Sequence, residues 1–260
     1  MKRTLTLLTL AVCTCVYAGK KPAKKEQTMP EKSVVVYNYS TNTAVHEVNS
    51  ERPRSMASIT KVMTAMVVLD TLPNLYQKVK LKVAYLGRRE YTVKEMLDLL
   101  LVRSDNNIAE ILSKNFLDDR DAFIAAMNEK ARKIGMTTAE FVDPSGLLAG
   151  NRASAKDIAT MLIASASYPA IRNTTRATME FEAATKTGLR TINLLNTNYR
   201  ILSEFDNIVV SKTGTTNAAG KCVAMVVEKQ GHTYAVVILG EPNSSKRDLE
   251  ARTLLHSYVY

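Results

Sequence analysis

The amino-acid sequence predicts an α+β domain, in which an antiparallel sheet is completed by strands near the carboxyl end of the chain and covered by helices. Strand-like apolar runs lie at both ends of the chain, and segments with helical apolar spacing lie between them. Of the 260 residues, 46% are apolar and 23% are charged, which is typical of a globular protein and excludes a disordered or collagen-like chain. No internal repeat is visible, so we expect one domain over residues 33–260.

Residues 1–18 are predicted to be a signal peptide that is not part of the fold. A short cationic start precedes the apolar run 5–16, which is too short to span a bilayer as a helix, and Val16 and Ala18 favour cleavage after Ala18. We therefore expect an exported protein, periplasmic or extracytoplasmic, with no stable membrane anchor after cleavage. The alternatives are a lipoprotein signal and an uncleaved amino-terminal anchor. Residues 19–32 are charged, contain two prolines and are predicted to be a flexible leader.

The first part of the domain is predicted to be a strand pair followed by helices. Residues 33–38 and 43–48 are joined by a short polar turn, as in a hairpin. Apolar residues then recur at helical spacing, with Pro73 after the first helix and Gly135 after the fourth. The predicted helices cover residues 58–72, 92–102, 106–116 and 119–134, and a fifth begins after a cap at Ser154 and runs to about residue 166.

The last part of the chain is predicted to be mostly strands. Residues 179–184 and 189–194 predict a hairpin around Lys186-Thr187-Gly188. Cys222 lies in a later strand-like run, where it is predicted to be a small buried apolar residue, and cleavage of the signal would leave it without a disulfide partner. The other predicted strands and the final helix cover residues 208–210, 221–229, 233–239 and the tail from residue 245.

The net charge of +10 favours an anionic partner but does not indicate a fold. Nucleic acid is not expected to be that partner, because the chain has no Trp and no basic stripe interleaved with aromatic residues. His46, His232 and His256 are scattered and lack the spacing of zinc ligands, so neither a metal nor a cofactor is expected.

Three short motifs contain residues that could carry chemistry. Each alone is weak, since a chain of this composition is expected to contain about one match by chance, and their order and context decide the interpretation. The motifs are Ser58-Ile59-Thr60-Lys61, Ser104-Asp105-Asn106 and Lys212-Thr213-Gly214.

The first motif predicts a serine nucleophile with a lysine base. Residues three apart share one face of a helix, so Ser58 and Lys61 can touch. A serine hydroxyl needs a base to take its proton, and the helix dipole together with burial would lower the pKa of Lys61 towards that task. The backbone N–H of Ser58 would help to hold an oxyanion. The alternative is a helix-capping Ser58 beside a solvated Lys61.

The second motif falls at the break between two predicted helices, where side chains can reach a cleft. A hydroxyl at Ser104 could relay a proton between Lys61 and a leaving amine, and Asn106 could bridge the lysine and a substrate amide. A helix cap is the alternative, and the two roles are compatible.

The third motif follows a predicted strand. Gly214 would let a substrate backbone approach the strand edge, and Lys212 with the hydroxyls of Thr213 and Thr215 could hold a carboxylate. The backbone N–H of Thr215 could be the second oxyanion donor. The similar motif at Lys186 lies between two short strands and is interpreted as a hairpin turn.

The three motifs in this order resemble those of the low-molecular-mass penicillin-binding proteins, which are D-alanyl-D-alanine carboxypeptidases and endopeptidases. Residues 143–147 and 196–198 carry the resemblance further, and it extends over about residues 33–255. It implies a β-lactamase/transpeptidase-like fold with a helical subdomain, and an exported enzyme that acts on peptidoglycan peptides and is inhibited covalently by β-lactam antibiotics. The nucleophile, the base, the second serine and the substrate-binding lysine of the family match Ser58, Lys61, Ser104 and Lys212.

The sequence departs from many family members at Thr215, where they carry an aromatic residue or a histidine, and we expect neither a second carboxy-terminal domain nor an amphipathic membrane anchor after Gly214. We therefore expect a DD-endopeptidase that opens cross-links, with a DD-carboxypeptidase as the alternative. A β-lactamase is a further alternative, although no Glu between Asn106 and Lys212 has the sequence context of the class A deacylating residue. The last alternative is an inactive module that senses β-lactams or binds the cell wall.

Overall fold

The structure is a computed structural model that describes residues 31–71, 74–83, 86–115, 117 and 119–260. The predicted signal peptide 1–18, most of the predicted leader 19–32 and the helix-ending Pro73 lie outside the described residues. Among the described residues, none of the helices has the length and the apolar character that crossing a membrane requires.

Strands and helices in the described part of the chain are numbered in chain order. The strands are β1 Ser33–Asn38, β2 Thr43–Val48, β3 Arg54–Ser55, β4 Lys78–Val83, β5 Gly87–Thr92, β6 Arg152–Ala153, β7 Thr178–Thr185, β8 Gly188–Leu195, β9 Ile208–Thr216, β10 Gly220–Lys229 and β11 His232–Glu241. The helices are α1 Thr60–Thr71, α2 Val93–Val102, α3 Asn106–Asn115, α4 Arg120–Lys133, α5 Ala155–Ser165, α6 Pro169–Arg172, α7 Tyr199–Leu202 and α8 Ser244–Tyr258, and a 3₁₀ turn at Ala57–Ile59 precedes α1.

The main sheet is antiparallel, as predicted, and runs in the order β2–β1–β11–β10–β9. Successive side chains of a strand point to opposite faces, and here both faces are covered. Val35 of β1 belongs to the core shared with the helices α1 to α5, whereas Val34 and Val36 belong to a second core beneath α8. Burial on both faces explains why these strands have continuous apolar runs instead of alternating ones.

The first predicted helix begins later than expected. Ala57 has φ +49°, in the left-handed region that residues with side chains rarely adopt, and α1 starts only at Thr60. Ser58 therefore lies in the 3₁₀ turn before the helix and not in its first turn. The second helix has the expected start, because the Thr92 side chain accepts from Glu95 N while the Glu95 carboxylate accepts from Thr92 N.

Several elements were not predicted. Residues 78–83 alternate lysine with apolar residues, which is a strand pattern, and the structure pairs them with β5 in a hairpin. The pair β3–β6 and the helices α6 and α7 have two to four residues each, too few to leave a periodic signal. The predicted hairpin around residues 186–188 is present as β7 and β8.

Candidate active site

The three motifs meet at one cavity of about 430 Å³, between the edge strand β9 and the helical part of the molecule. Ser58 comes from the 3₁₀ turn, Ser104 and Asn106 come from the junction of α2 and α3, and residues 213–215 come from β9. Lys61 and Lys212 are 0% and 1% exposed. The fold thus brings together side chains that are up to about 150 positions apart in the sequence.

Lys61 contacts Ser58 directly. Its Nζ lies 2.9 Å from Ser58 Oγ, 2.7 Å from Asn106 Oδ1 and 2.7 Å from the backbone oxygen of Ser145. Asn106 Oδ1 and the Ser145 oxygen can only accept hydrogen bonds. These two acceptors therefore fix the position of the lysine nitrogen beside the serine hydroxyl.

Lys61 and Lys212, which are buried beside the cavity, both have lowered pKa values. Burial lowers the pKa of Lys61 to about 8, although the carboxylates of Asp143 and Asp105 act in the opposite direction. Burial also lowers the pKa of Lys212 well below its usual value, and the positive charges of Lys61 and Arg247 add to that effect. Neutral Lys61 is therefore accessible near neutral pH.

Ser104 contacts Lys212, whereas the sequence predicted a role beside Lys61. Its hydroxyl oxygen accepts from Lys212 Nζ at 2.8 Å, whereas the hydrogen bonds of Lys61 go to Ser58, Asn106 and Ser145. Ser104 has φ +61°, and this left-handed residue ends the α2 segment before α3 begins. Asp105, and not Ser104, caps α3, because its carboxylate accepts from the backbone N–H groups at 107 and 108.

Gly214 is required by the protein's own backbone. A β-carbon at this position would lie 2.7 Å from Met56 O and 3.2 Å from Ser58 N, so only glycine lets β9 pack against the turn that carries Ser58. The sequence pattern predicted instead that this glycine makes room for a substrate backbone. Since β9 is the edge of the sheet, its outer side still faces the cavity, together with Thr213 and Thr215.

Asp143 organises the loop that holds Lys61 and was not singled out in the sequence as a site residue. Its buried carboxylate accepts hydrogen bonds from Ser145 N, Ser145 Oγ, Gly146 N, Leu148 N and Asn151 Nδ2. Burial alone would raise the pKa of Asp143, but these donors outweigh it and lower the pKa. This loop conformation places the backbone oxygen of Ser145 where it accepts a hydrogen bond from Lys61 Nζ.

Other cavity residues were also missed. They come from the Asp143 loop, from the starts of α7 and α8 and from the segment before α7: Leu147, Thr197, Asn198, Tyr199, Arg200, Ser244, Arg247 and Asp248. Arg247 is buried and donates twice to Asp248, while Arg200 is half exposed and lies 3.7 Å from the same carboxylate. No local motif marks these residues, because the packing of α8 against the sheet brings them to the cavity.

Lys186, in the second copy of the third motif, is exposed in the turn between β7 and β8 and does not line the cavity. Cys222 is buried, and burial raises the pKa of its thiol to about 11, which keeps it protonated. Within the described ranges, no group of three or more His, Cys, Asp or Glu side chains comes close enough to hold a metal ion.

Comparisons with known proteins agree with this geometry. The sequence matches the peptidase family described as D-alanyl-D-alanine carboxypeptidase over residues 20–243. It is 35% identical to a D-alanyl-D-alanine endopeptidase of Escherichia coli, over 80% of this chain and 70% of that protein. A protein of the same description from Pseudomonas aeruginosa is 32% identical, over 84% of this chain and 74% of its own length.

The fold matches as well. The structure of penicillin-binding protein D2 from Listeria monocytogenes, in its cefotaxime-bound form, superposes with a TM-score of 0.76 and 25% identity, covering 86% of this chain and 95% of that one. The predicted β-lactamase/transpeptidase-like fold is therefore confirmed. From its sequence, its fold and the family match, the chain belongs to the D-alanyl-D-alanine carboxypeptidase family and is a serine-type DD-peptidase.

Proposed function

We propose that this DD-peptidase is an exported endopeptidase that opens peptidoglycan cross-links through an acyl-enzyme on Ser58. The observation that carries the proposal is the position of Lys61 Nζ between Ser58 Oγ and two acceptor oxygens. A neutral lysine has two N–H bonds and one lone pair. If the N–H bonds point to Asn106 Oδ1 and the Ser145 oxygen, the lone pair points to the Ser58 hydroxyl and can take its proton.

Acylation follows from this arrangement. Ser58 Oγ attacks the carbonyl carbon of D-Ala while Lys61 takes the hydroxyl proton, and the backbone N–H groups of Ser58 and Thr215 hold the oxyanion. The C–N bond then breaks as Ser104 gives its proton to the leaving amine, and the proton that Lys61 took from Ser58 passes to Ser104 in its place. Water hydrolyses the ester that remains, which frees Ser58 for another turnover.

Lys212 and Thr213 are proposed to bind the carboxylate next to the leaving amine. Lys212 Nζ donates to Ser104 Oγ and Thr213 O, and burial and Lys61 lower its pKa. A bound carboxylate would supply the negative charge that favours the ammonium form of Lys212. Substrate binding thus links Lys212, Ser104 and the leaving group.

Replacement of Lys212 by Ala is expected to raise KM and to slow acylation by at least about tenfold, because both charge and substrate orientation are lost. Lys186→Ala, the matched variant in the second copy of the motif, is expected to leave both constants unchanged. Steady-state kinetics on a soluble peptide substrate measures the two variants side by side. Equal losses in both would contradict the assignment of the substrate site to β9.

Replacement of Asp143 by Asn is expected to destabilise the protein by about 2 kcal/mol and to slow acylation, because an amide N–H₂ would face donors in the loop that positions Lys61. Asp157→Asn is the control, since Asp157 accepts from the 137 and 138 backbone N–H groups in another part of the molecule. Urea unfolding and acylation rates measure both effects. The control should lose stability but keep its acylation rate, and an equal loss of rate would refute a specific role for the Asp143 loop.

The preference for cross-links is inferred from the size of the cavity and from Thr215. A terminal D-Ala leaving group is small, whereas the cavity has a volume of about 430 Å³ and is also lined by Tyr199 and Arg200. Thr215 lines the same cavity, and a larger side chain at this position would narrow it. The description of the Escherichia coli and Pseudomonas aeruginosa relatives as endopeptidases supports the same preference.

The substrate preference is tested by comparing kcat/KM for a soluble cross-linked peptide dimer with kcat/KM for the monomeric pentapeptide. We expect the dimer to be the better substrate, because its larger leaving group fills more of the cavity. Faster release of terminal D-Ala from the monomer would show a DD-carboxypeptidase instead.

A further inference from the structure

The hairpin formed by β4 and β5 has one face of exposed lysines. Alternate residues of a strand share a face, so Lys78, Lys80 and Lys82 form a row, and all three are exposed. The opposite face belongs to the core, where Tyr91 is buried and Val79, its partner in the register, packs beside it. Because the apolar face packs against the core, the lysines on the opposite face point towards solvent.

The hairpin carries an excess of positive charge. Residues 78–83 and 86–92 contain five basic residues, of which Arg89 lies on the apolar face, and one acidic residue, Glu90, which lies opposite Lys80 in the register. Ion pairs nearby use Arg89 with Glu95 and Lys94 with Asp98. Among the residues that the structure describes, the three lysines of β4 have no ion-pair partner.

The lysine row lies within reach of the cavity. The hairpin leads directly into α2, whose ten residues end just before Ser104. A helix rises about 1.5 Å per residue, so the end of the hairpin lies roughly 15 Å from the Ser104 end of α2. A polymer bound to the lysine row can therefore extend to the cavity.

We propose that the exposed lysine row of β4 is a docking surface for the carboxylates of peptidoglycan, separate from the cavity around Ser58. The proposal rests on the proposed function, because it takes the cross-linked wall polymer as substrate. The argument for this occupant is charge complementarity: stem peptides carry carboxylates that recur along the polymer. Alternate lysines of a strand are about 7 Å apart, so several can meet carboxylates of one polymer at the same time.

Docking would act through multivalency. One exposed ion pair contributes little to affinity, because water and salt screen it. Several pairs on one polymer act together, and they hold the enzyme on an insoluble substrate between turnovers. A short soluble peptide lacks the recurring carboxylates, so the lysine row should not affect its hydrolysis.

The test uses the full chain with Lys78, Lys80 and Lys82 each replaced by Gln. The control variant has the same change of net charge at exposed positions of α3 and α4, namely Lys114→Gln, Arg132→Gln and Lys133→Gln. Co-sedimentation with purified insoluble peptidoglycan gives the apparent Kd at several salt concentrations. The rate on a soluble cross-linked dimer is measured for both variants, and circular dichroism checks that both are folded.

We expect the lysine-row variant to bind peptidoglycan about tenfold more weakly at low salt, with a smaller salt dependence, while its rate on the soluble dimer stays within about twofold of the parent. Amidation of the peptidoglycan carboxylates should weaken binding of the parent chain to the same extent. Equal weakening in the control variant, or unchanged binding in the lysine-row variant, would overturn the proposal. The proposal would also be overturned if the lysine-row variant bound anionic phospholipid vesicles more weakly than the parent but bound peptidoglycan equally well. Failure of the proposed function itself would instead appear as absent hydrolysis of the soluble dimer by the parent chain.

Discussion

Ser58→Ala is expected to reduce hydrolysis of a cross-linked peptide dimer to the background rate, a loss of at least about 10⁴-fold. The reason is that no acyl-enzyme can form without the Ser58 hydroxyl, whereas the remaining groups of the site bind the substrate or transfer protons. Ser58 is at the cavity surface and its Oγ contacts Lys61, so removing one oxygen should leave the fold intact. Initial rates on the dimer measure the effect.

Ser55→Ala is the matched control for this variant. Ser55 lies three residues earlier, is buried, and its Oγ has no hydrogen-bond partner among the described residues, so its loss should leave the activity unchanged. If Ser58→Ala kept more than about 1% of the rate, another group such as Ser104 would have to be the nucleophile, and the proposed mechanism would be wrong.

Lys61→Arg is expected to slow acylation about a hundredfold or more, although the positive charge is kept, because a guanidinium group cannot be deprotonated in a protein. In the parent chain only neutral Lys61 can act as a base. Since the pKa of Lys61 is about 8, the neutral fraction, and with it the acylation rate, should rise as the pH is raised through about 8 and then level off. Stopped-flow measurement of acylation by a chromogenic β-lactam from pH 6 to about pH 10 gives the profile.

Lys114→Arg is the control for the Lys61 variant, since Lys114 is exposed on α3 and outside the cavity. It should keep both the rate and the pH profile. Near-normal acylation by Lys61→Arg would show that Lys61 acts only through its charge, and a rate that fell with rising pH through 8 would show that the charged form is the active one.

The sequence predicted the fold best where periodicity is long. The strands β1 and β2 and the helix α2 lie where apolar spacing and capping residues place them. The predicted start of α1 was wrong because Ala57 adopts a left-handed conformation. Tertiary packing stabilises this conformation, and no local sequence pattern indicates it. The β4–β5 hairpin was missed despite a clear alternation in residues 78–83.

The candidate site shows a different limit. Side chains in short motifs, such as Ser58 and Lys212, can be picked out from the sequence because the chemistry requires particular residue types. The hydrogen bond from Lys61 to the backbone oxygen of Ser145 cannot be picked out in this way, since every residue has a backbone carbonyl. Only the conformation of the Asp143 loop determines where this carbonyl points. Arg247 likewise reaches the cavity only through the packing of α8, more than 30 positions beyond Lys212.

The proposed Ser58 acyl-enzyme is tested most directly by intact-mass analysis and peptide mapping after incubation with a β-lactam. The drug presents a strained acyl group and a carboxylate, which match the carbonyl that Ser58 attacks and the anion that Lys212 holds. We expect the mass of one drug molecule to be added, to map to Ser58 and to be absent in Ser58→Ala. An adduct on any other residue, or one that forms equally in Ser58→Ala, would contradict the account.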